Sequence, residues 1–466
     1  MKYLLIDFGS TNTKLTAVDL DKKRLIGTAK ALTTVDEDIN IGYKNALNNL
    51  YLQYGEMKFE KIIACSSAAG GLKMAAIGLV EELTVEAAKR ACFGAGGKVE
   101  LVFSHFITSK DVEKIKDKKI DIVLLAGGID GGNRESVIYN ARKLGEGNVR
   151  CPIIYAGNKA CQDEIREIFA KYKLHGFICD NIMPRLNVLN INPARDIIRN
   201  VFMKNIVYAK GIKKLEENID EIILPTPQAV LQAAELLAKG YLDEEGLGEL
   251  IILDIGGATT DIYSISSGRP KRADVILKGL EEPYAKRTVE GDLGVRYSAE
   301  GIKLNITREE QEYYKQKGID IDKEVAYRVK HVDMIPRTRH DQEVDELFGE
   351  ICADVAFSRH DGKIEAVYTP LGQMYYQYGK DLTDVKTIIG TGGVVINDER
   401  PQEILKSLCY NPKKPLELRP KNPKYMLDKK YILSAMGLLS IYEPSIALRI
   451  MKDNITYVGE DNEIKK

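Results

Sequence analysis

The stretch Leu4–Lys14 reads LLIDFGSTNTK. An apolar run ends in Asp7, Gly9 follows, and the small polar residues Ser10, Thr11, Asn12 and Thr13 lead to Lys14. A short continuous apolar run reads as a strand buried on both faces. The polar residues read as a tight turn into a returning strand, Leu15–Leu20. Backbone N–H groups, hydroxyls and a lysine at a hairpin tip can wrap a phosphate. A carboxylate at the strand end can hold a divalent cation through water. Taken alone, such a hairpin is equally an ordinary β-turn. The chain has a second one, Ile251–Thr260 (IILDIGGATT), followed by Asp261 and an apolar strand, Ile262–Ile265. A third glycine-rich strand end, IIGTGGV, occupies Ile388–Val394.

Two copies imply two similar half-units serving one site. Asp7 and Asp254 are the expected ligands of a shared Mg²⁺. Gly9, Gly256 and Gly257 let the backbone approach closely or take positive φ. Ser10, Thr11, Asn12 and Thr13 line the first phosphate turn, and Ala258, Thr259 and Thr260 line the second, with the threonines adding hydroxyl donors. Lys14 would meet the β or γ phosphate, and Asp261 would orient water or a metal ligand. Gly390, Thr391, Gly392 and Gly393 suit a flat adenine and ribose, although a plain strand-to-helix turn would look the same. Glu290 and Asp292 lie in a glycine-rich turn and could complete the metal or water network; an acidic surface turn is the other reading. Such a site transfers phosphate to water by positioning and charge neutralisation. Neither GxxxxGK[ST] nor a strand-linked GxGxxG occurs, which argues against P-loop and dinucleotide enzymes.

Composition narrows the class. Lys plus Arg is 67 and Asp plus Glu is 68 in 466 residues, so no general electrostatic grip on nucleic acid is expected. The seven cysteines have no CxxC pairing, which suits a reducing compartment and makes no zinc site. Cys65 reads as a small buried hydrophobe. No run reaches the roughly 18 apolar residues of a membrane span, and Met1-Lys2 leads straight into a strand. A soluble cytoplasmic protein without membrane contact is expected.

A chain of this length calls for several domains. The pattern alternates strand and helix, an α/β arrangement. We expect a first lobe over 1–129, an inserted α/β subdomain over 130–225, a crossover helix and linker over 226–249, and a second lobe over 250–466. Further expectations are a third strand at Gly27–Val35, a capped helix at Thr84–Phe93 and a central parallel strand at Asp121–Gly128. The loop Ser66–Gly71 would form a wall of the cleft, or be only a tight crossover turn. Pro401–Pro423 should be irregular surface, and Tyr431–Ser440 a terminal helix. His360, at a helix end after Arg359, would cap the helix as a cation or reach phosphate.

DFGSTNTK at 7–14, DIGGATTD at 254–261 and GTGG at 390–393 resemble the phosphate-1, phosphate-2 and adenosine motifs of the sugar kinase, heat-shock 70 and actin superfamily. That likeness implies a two-lobed actin-like ATPase fold with ribonuclease H-like halves, using ATP and Mg²⁺. A likeness over nearly the full chain rests on CSSAAGGLKM at 65–74, LLAGGIDGGN at 124–133, YAGNK at 155–159, RTVEGDLGVR at 287–296 and RHDG at 359–362. These resemble the glutamate mutase-associated accessory family called MutL or GlmL, unrelated to the mismatch-repair protein of the first name. The resemblance implies an ATP-dependent reactivating chaperone for an adenosylcobalamin-dependent mutase or aminomutase, exchanging damaged cofactor for intact. Related activators carry an iron–sulfur cluster at a dimer interface; the cysteines here do not support one. A homodimer is compatible with the sequence. A small-molecule kinase of the same fold, or a filament-forming ATPase, remains the alternative.

Overall fold

A computed structural model describes residues 1–9, 12–33, 39–67, 72–209, 219–370 and 372–460, and the chain divides into two units, Met1–Val230 and Leu231–Lys466. The first unit opens with β1 (Lys2–Phe8), β2 (Asn12–Asp19), β3 (Arg24–Leu32), α1 (Ile39–Tyr54) and β4 (Lys61–Ser66). It continues through β5 (Leu72–Gly78), α2 (Glu86–Gly94), β6 (Gly97–Ser104), α3 (Ser109–Asp117), β7 (Ile122–Leu125) and α4 (Glu135–Glu146). Then come β8 (Ile153–Tyr155), α5 (Gln162–Lys171), β9 (Gly176–Ile178), α6 (Asn192–Ala209) and β10 (Glu221–Pro225), and the division falls within α7 (Thr226–Lys239).

Two sheets result. The first runs β10-β4-β1-β2-β3, with β1, β2 and β3 antiparallel and β4 and β10 parallel to β1. The apolar run of β1 explains its central place: Leu4, Leu5, Ile6 and Phe8 are fully buried. The second sheet, β6-β5-β7-β8-β9, is all parallel, with β7 at its centre as expected. It begins at Leu72, well before residue 130, so the expected boundary at 129 falls inside this sheet's run of strands.

The second unit adds β11 (Gly240–Tyr241), β12 (Glu244–Glu245), β13 (Leu250–Ile255), β14 (Thr260–Ile265), β15 (Val275–Leu277) and β16 (Ala285–Glu290). Helices α8 (Glu300–Leu304), α9 (Arg308–Gln316), α10 (Ile321–Lys330) and α11 (Arg339–His360) follow. The chain closes with β17 (Lys363–Thr369), β18 (Gly372–Tyr378), β19 (Thr387–Thr391), α12 (Gly393–Asn397), α13 (Pro401–Lys406), β20 (Lys424–Leu427), α14 (Leu433–Leu439), α15 (Pro444–Asn454) and β21 (Thr456–Glu460). Its main sheet runs β16-β14-β13-β19-β20-β21. Through β20, that order and those directions repeat the first sheet: β13, β14 and β16 pair antiparallel in succession on one side, and β19 and β20 follow parallel to β13 on the other. The expected α/β class and a repeated half-unit are both present. α11 packs across this sheet, where Val344, Phe348, Cys352, Ala356 and Phe357 join one apolar core with Leu253, Ile262 and Ile388.

Several local expectations need correction. The helix expected from Thr84 starts at Glu86, after a π-helical turn over Glu81–Val85. Thr84 Oγ1 instead accepts from the N–H groups of Leu79 and Val80, at 2.8 and 3.0 Å, closing the bend after β5. Pro401–Pro423 is not all irregular surface. Pro401 starts α13 in the first turn, where a missing N–H costs nothing, and Ile404 and Leu405 are fully buried. A helix and a strand, α15 and β21, follow the helix expected to be terminal.

Candidate functional site

In the first unit, the cross-strand register sets Asp7 opposite Lys14 and Phe8 opposite Thr13. Gly9 N–H donates to Asn12 O at 3.1 Å, closing the hairpin around Ser10 and Thr11, which lie outside the described residues. A Cβ on Gly9 would stand 2.6 Å from Asn12 O, so this position tolerates only glycine. The second unit repeats the arrangement. Asp254 stands opposite Asp261, Ile255 opposite Thr260, and Gly256 N–H donates to Thr259 O at 2.9 Å. The two hairpins therefore match residue for residue from Asp7 and Asp254 onward. One rung differs in sign: Lys14 in the first corresponds to Asp261 in the second.

Asp7 is nearly buried at 5 % exposure, and Thr226 Oγ1, at the start of α7, donates to its Oδ1 at 2.6 Å. Thr226 was not singled out from sequence, yet Thr226-Pro227 is a helix-start signature that could have flagged it. Cys65 sits beside Asp7 on β4, and burial, then the Asp7 charge, pushes its thiol well up. It is inert, as a buried hydrophobe should be. Of the loop Ser66–Gly71, residues 68–71 lie outside the described residues.

Asp261 is already engaged. Arg287 of β16 donates to its Oδ1 through Nε at 2.9 Å and Nη2 at 2.7 Å, with both side chains almost buried. Thr259 Oγ1 reaches Oδ2 at 3.3 Å. A carboxylate held this way is a fixed part of the sheet before it is a water-orienting group. The hydroxyls expected to meet phosphate also divide. Thr13 and Thr260 are fully buried, bonded to Thr33 Oγ1 at 3.0 Å and Leu293 O at 3.1 Å respectively. Strand alternation turns these two side chains inward, away from the open turn.

The third motif splits the same way. A Cβ on Gly390 would meet Val395, Leu427 and Leu405 side chains at 2.6–3.0 Å, so this glycine serves core packing. Thr391 pairs in register with Asp254. Gly392 has φ +92°, and a Cβ there would lie 2.3 Å from Ile255 O and 2.8 Å from Asp254 Oδ1. The backbone thus passes directly beside the strand-end carboxylate. Gly393 opens α12, near the Tyr431 hydroxyl, which burial and the charges of Asp254 and Asp428 push upward.

Glu290 and Asp292 are drawn together by Arg359. Its Nη1 donates to Glu290 Oε2 at 2.6 Å and to Asp292 Oδ1 at 2.9 Å. Burial pushes Glu290 up, and Arg359 opposes that rise. His360 neither caps as a cation nor reaches out. It is fully buried, sharing hydrogen bonds with Ser264 Oγ and Thr288 Oγ1, each 2.8 Å long. Burial, then Lys286 and Lys380, hold it well below the usual imidazole range, hence neutral. The cation at that helix end is Lys286, donating to His360 O at 2.9 Å.

The LLAGGIDGGN and YAGNK motifs meet at the carboxyl ends of β7 and β8. Asn158, fully buried, accepts from the N–H groups of Gly131 and Ala160 and donates to Gly132 O and Asn133 O, all at 3.0–3.1 Å. These residues build loops. Among the described residues, no three His, Cys, Asp or Glu side chains gather into a metal cage. Mg²⁺ bound through one or two carboxylates, waters and phosphates requires no such cage. No described helix is long and apolar enough to cross a membrane.

The MutL protein family profile matches residues 3–455 of this chain. A relative named Protein MutL, from Clostridium tetanomorphum, is 50% identical over 459 residues, covering 98% of this chain and 99% of its own. Among solved structures, xylulose kinase from Lactobacillus acidophilus is similar over 98% of this chain and 93% of its own, at 10% identity and TM-score 0.37. Ethanolamine utilization protein EutJ from Carboxydothermus hydrogenoformans is similar over 96% and 89%, at 11% identity and TM-score 0.23.

Proposed function

This chain belongs to the MutL protein family, and we propose that it is an Mg²⁺-dependent ATPase that reactivates an adenosylcobalamin-dependent mutase or aminomutase. The observation that carries the proposal is the repeated hairpin. Twice, a strand-end carboxylate precedes a turn closed by a glycine N–H, at Gly9–Asn12 and Gly256–Thr259. In this reading the two turns hold the phosphates of ATP. Asp7 and Asp254 hold Mg²⁺ through water, and Lys14 neutralises charge at the β and γ phosphates. Ser10, Thr11, Asn12, Gly257, Ala258 and Thr259 line the phosphates, while Gly392 and Gly393 admit the nucleoside. The bound metal would stabilise charge on the transferring phosphoryl group.

Hydrolysis would then shift the population between two conformations that grip the partner differently, which requires ATP and ADP to bind them with different affinity. The test is ATP turnover with and without Mg²⁺, alone and with the mutase captured from native extract. Asp7→Ala and Asp254→Ala should each abolish Mg²⁺-dependent turnover while leaving the folded fraction intact. Turnover unchanged in both variants refutes the assignment. ATP-independent capture of the mutase removes the chaperone role.

A further inference from the structure

The Gly256–Thr259 turn does not stand alone. Val295 N–H donates to Gly256 O at 3.2 Å and Arg296 N–H to Gly257 O at 2.9 Å. A trans peptide sets its C=O and N–H on opposite sides. Binding the carbonyls of Gly256 and Gly257 therefore turns the N–H groups of Gly257 and Ala258 away from the 290–296 loop. Two successive N–H groups held to one side form an anion-binding concavity. Close approach is enforced: a Cβ on Gly294 would lie 2.6 Å from Gly257 O and 2.7 Å from Ala258 C.

The bracing loop is itself pinned at both ends. At its far end, Arg296 donates to both oxygens of Asp345 on α11, at 3.1 and 2.6 Å. At its near end, Arg359, also on α11, holds Glu290 and both oxygens of Asp292, and donates to Asn305 Oδ1 at 3.1 Å. Two parts of the family-like sequence, RTVEGDLGVR and the arginine of RHDG, are thus one assembly.

We infer that the Glu290–Arg296 loop is a brace that aims the N–H groups of Gly257 and Ala258 at a phosphate, and that Arg359 is the positioning residue that holds it. This rests on the nucleotide reading above. In this reading Arg359 acts through the loop, by its bonds to Glu290, Asp292 and Asn305. Its side chain is 36% exposed, so its replacement should leave the fold standing.

The experiment measures affinity for Mg-ATP and for adenosine, together with the thermal midpoint of the ligand-free protein. Arg359→Gln should weaken Mg-ATP roughly tenfold or more, leave adenosine within twofold and barely move the midpoint. Free guanidinium should recover part of the loss. Gly294→Ala, which pushes on the turn from within the brace itself, should show the same selective loss. Wild-type affinity for Mg-ATP in Arg359→Gln overturns the brace, as does an equal loss of ATP and adenosine with a fallen midpoint. If the unaltered protein binds no Mg-ATP, the nucleotide reading fails first and takes the brace with it.

Discussion

Replacing Asp361 by Asn should stabilise the second unit at neutral pH and remove a pH dependence that the native chain carries. Asp361 follows α11, its side chain has no exposure, and neither carboxylate oxygen has a hydrogen-bond partner among the described residues. The nearest cation, Arg419, reaches it only at 3.6 Å, because the guanidinium is spent on Glu417 at 2.7 Å and Asp354 at 2.8 Å. Burial, then the Glu417 charge, pushes the carboxyl up to about 7 against Arg419, Lys363 and Lys286. In the unfolded chain an aspartate titrates near ~3.9. Between those values the folded state keeps a proton that the unfolded state releases. The stability this group supplies is therefore full below about pH 4 and lost as pH rises through about 7. A gap of that size corresponds to roughly 4 kcal/mol, and Arg419 nearby makes about 2–4 kcal/mol the working range. Asn keeps the shape and cannot ionise. Urea unfolding at pH 5 and pH 8, compared through midpoint and slope, should show Asp361→Asn gaining on the native chain at pH 8 and much less at pH 5. An equal difference at the two pH values would mean that Asp361 is ionised and paired in the fold, and would refute this account.

Two further outcomes follow from the second hairpin. Gly392→Ala combines a left-handed backbone with a Cβ set against Ile255 O and Asp254 Oδ1; strain and overlap together should cost about 2–6 kcal/mol, read as a lowered urea midpoint. Arg287→Met leaves Asp261 buried without its guanidinium and should cost about 3–5 kcal/mol. Adding Asp261→Asn should return much of that loss, and a double-mutant cycle with no coupling would show the pair contributes nothing.

The strands carrying Asp7 and Asp254 were legible because an apolar run ending in one acid and a glycine has few other readings. The duplication was legible for the same reason. What each threonine does was not: Thr13 and Thr260 look like their neighbours in sequence, and only the strand phase turns them inward. Arg287 and Arg359 could be quoted as motif residues, but their partners lie 26 and 67–69 positions away, and spacing does not reveal such pairings. His360 misled through its helix-end position, where local electrostatics favours a cation; tertiary burial between Ser264 and Thr288 outweighs that preference. The start of the parallel sheet at Leu72 was missed because β5 and β6 flank a short helix whose first turn is irregular.

The two hairpins match position for position, yet they are not interchangeable. The eighth position is lysine in one and aspartate in the other, and a guanidinium from the adjoining strand holds the acid. Transplanting the first hairpin into the second seat would press an ammonium against Arg287 in a dry place. The reverse graft would set a second acid next to Asp7 and bring no cation with it. The two hairpins share a plan and differ in polarity, so chimeras of the two halves should be tolerated at the glycine turns and rejected at this single rung.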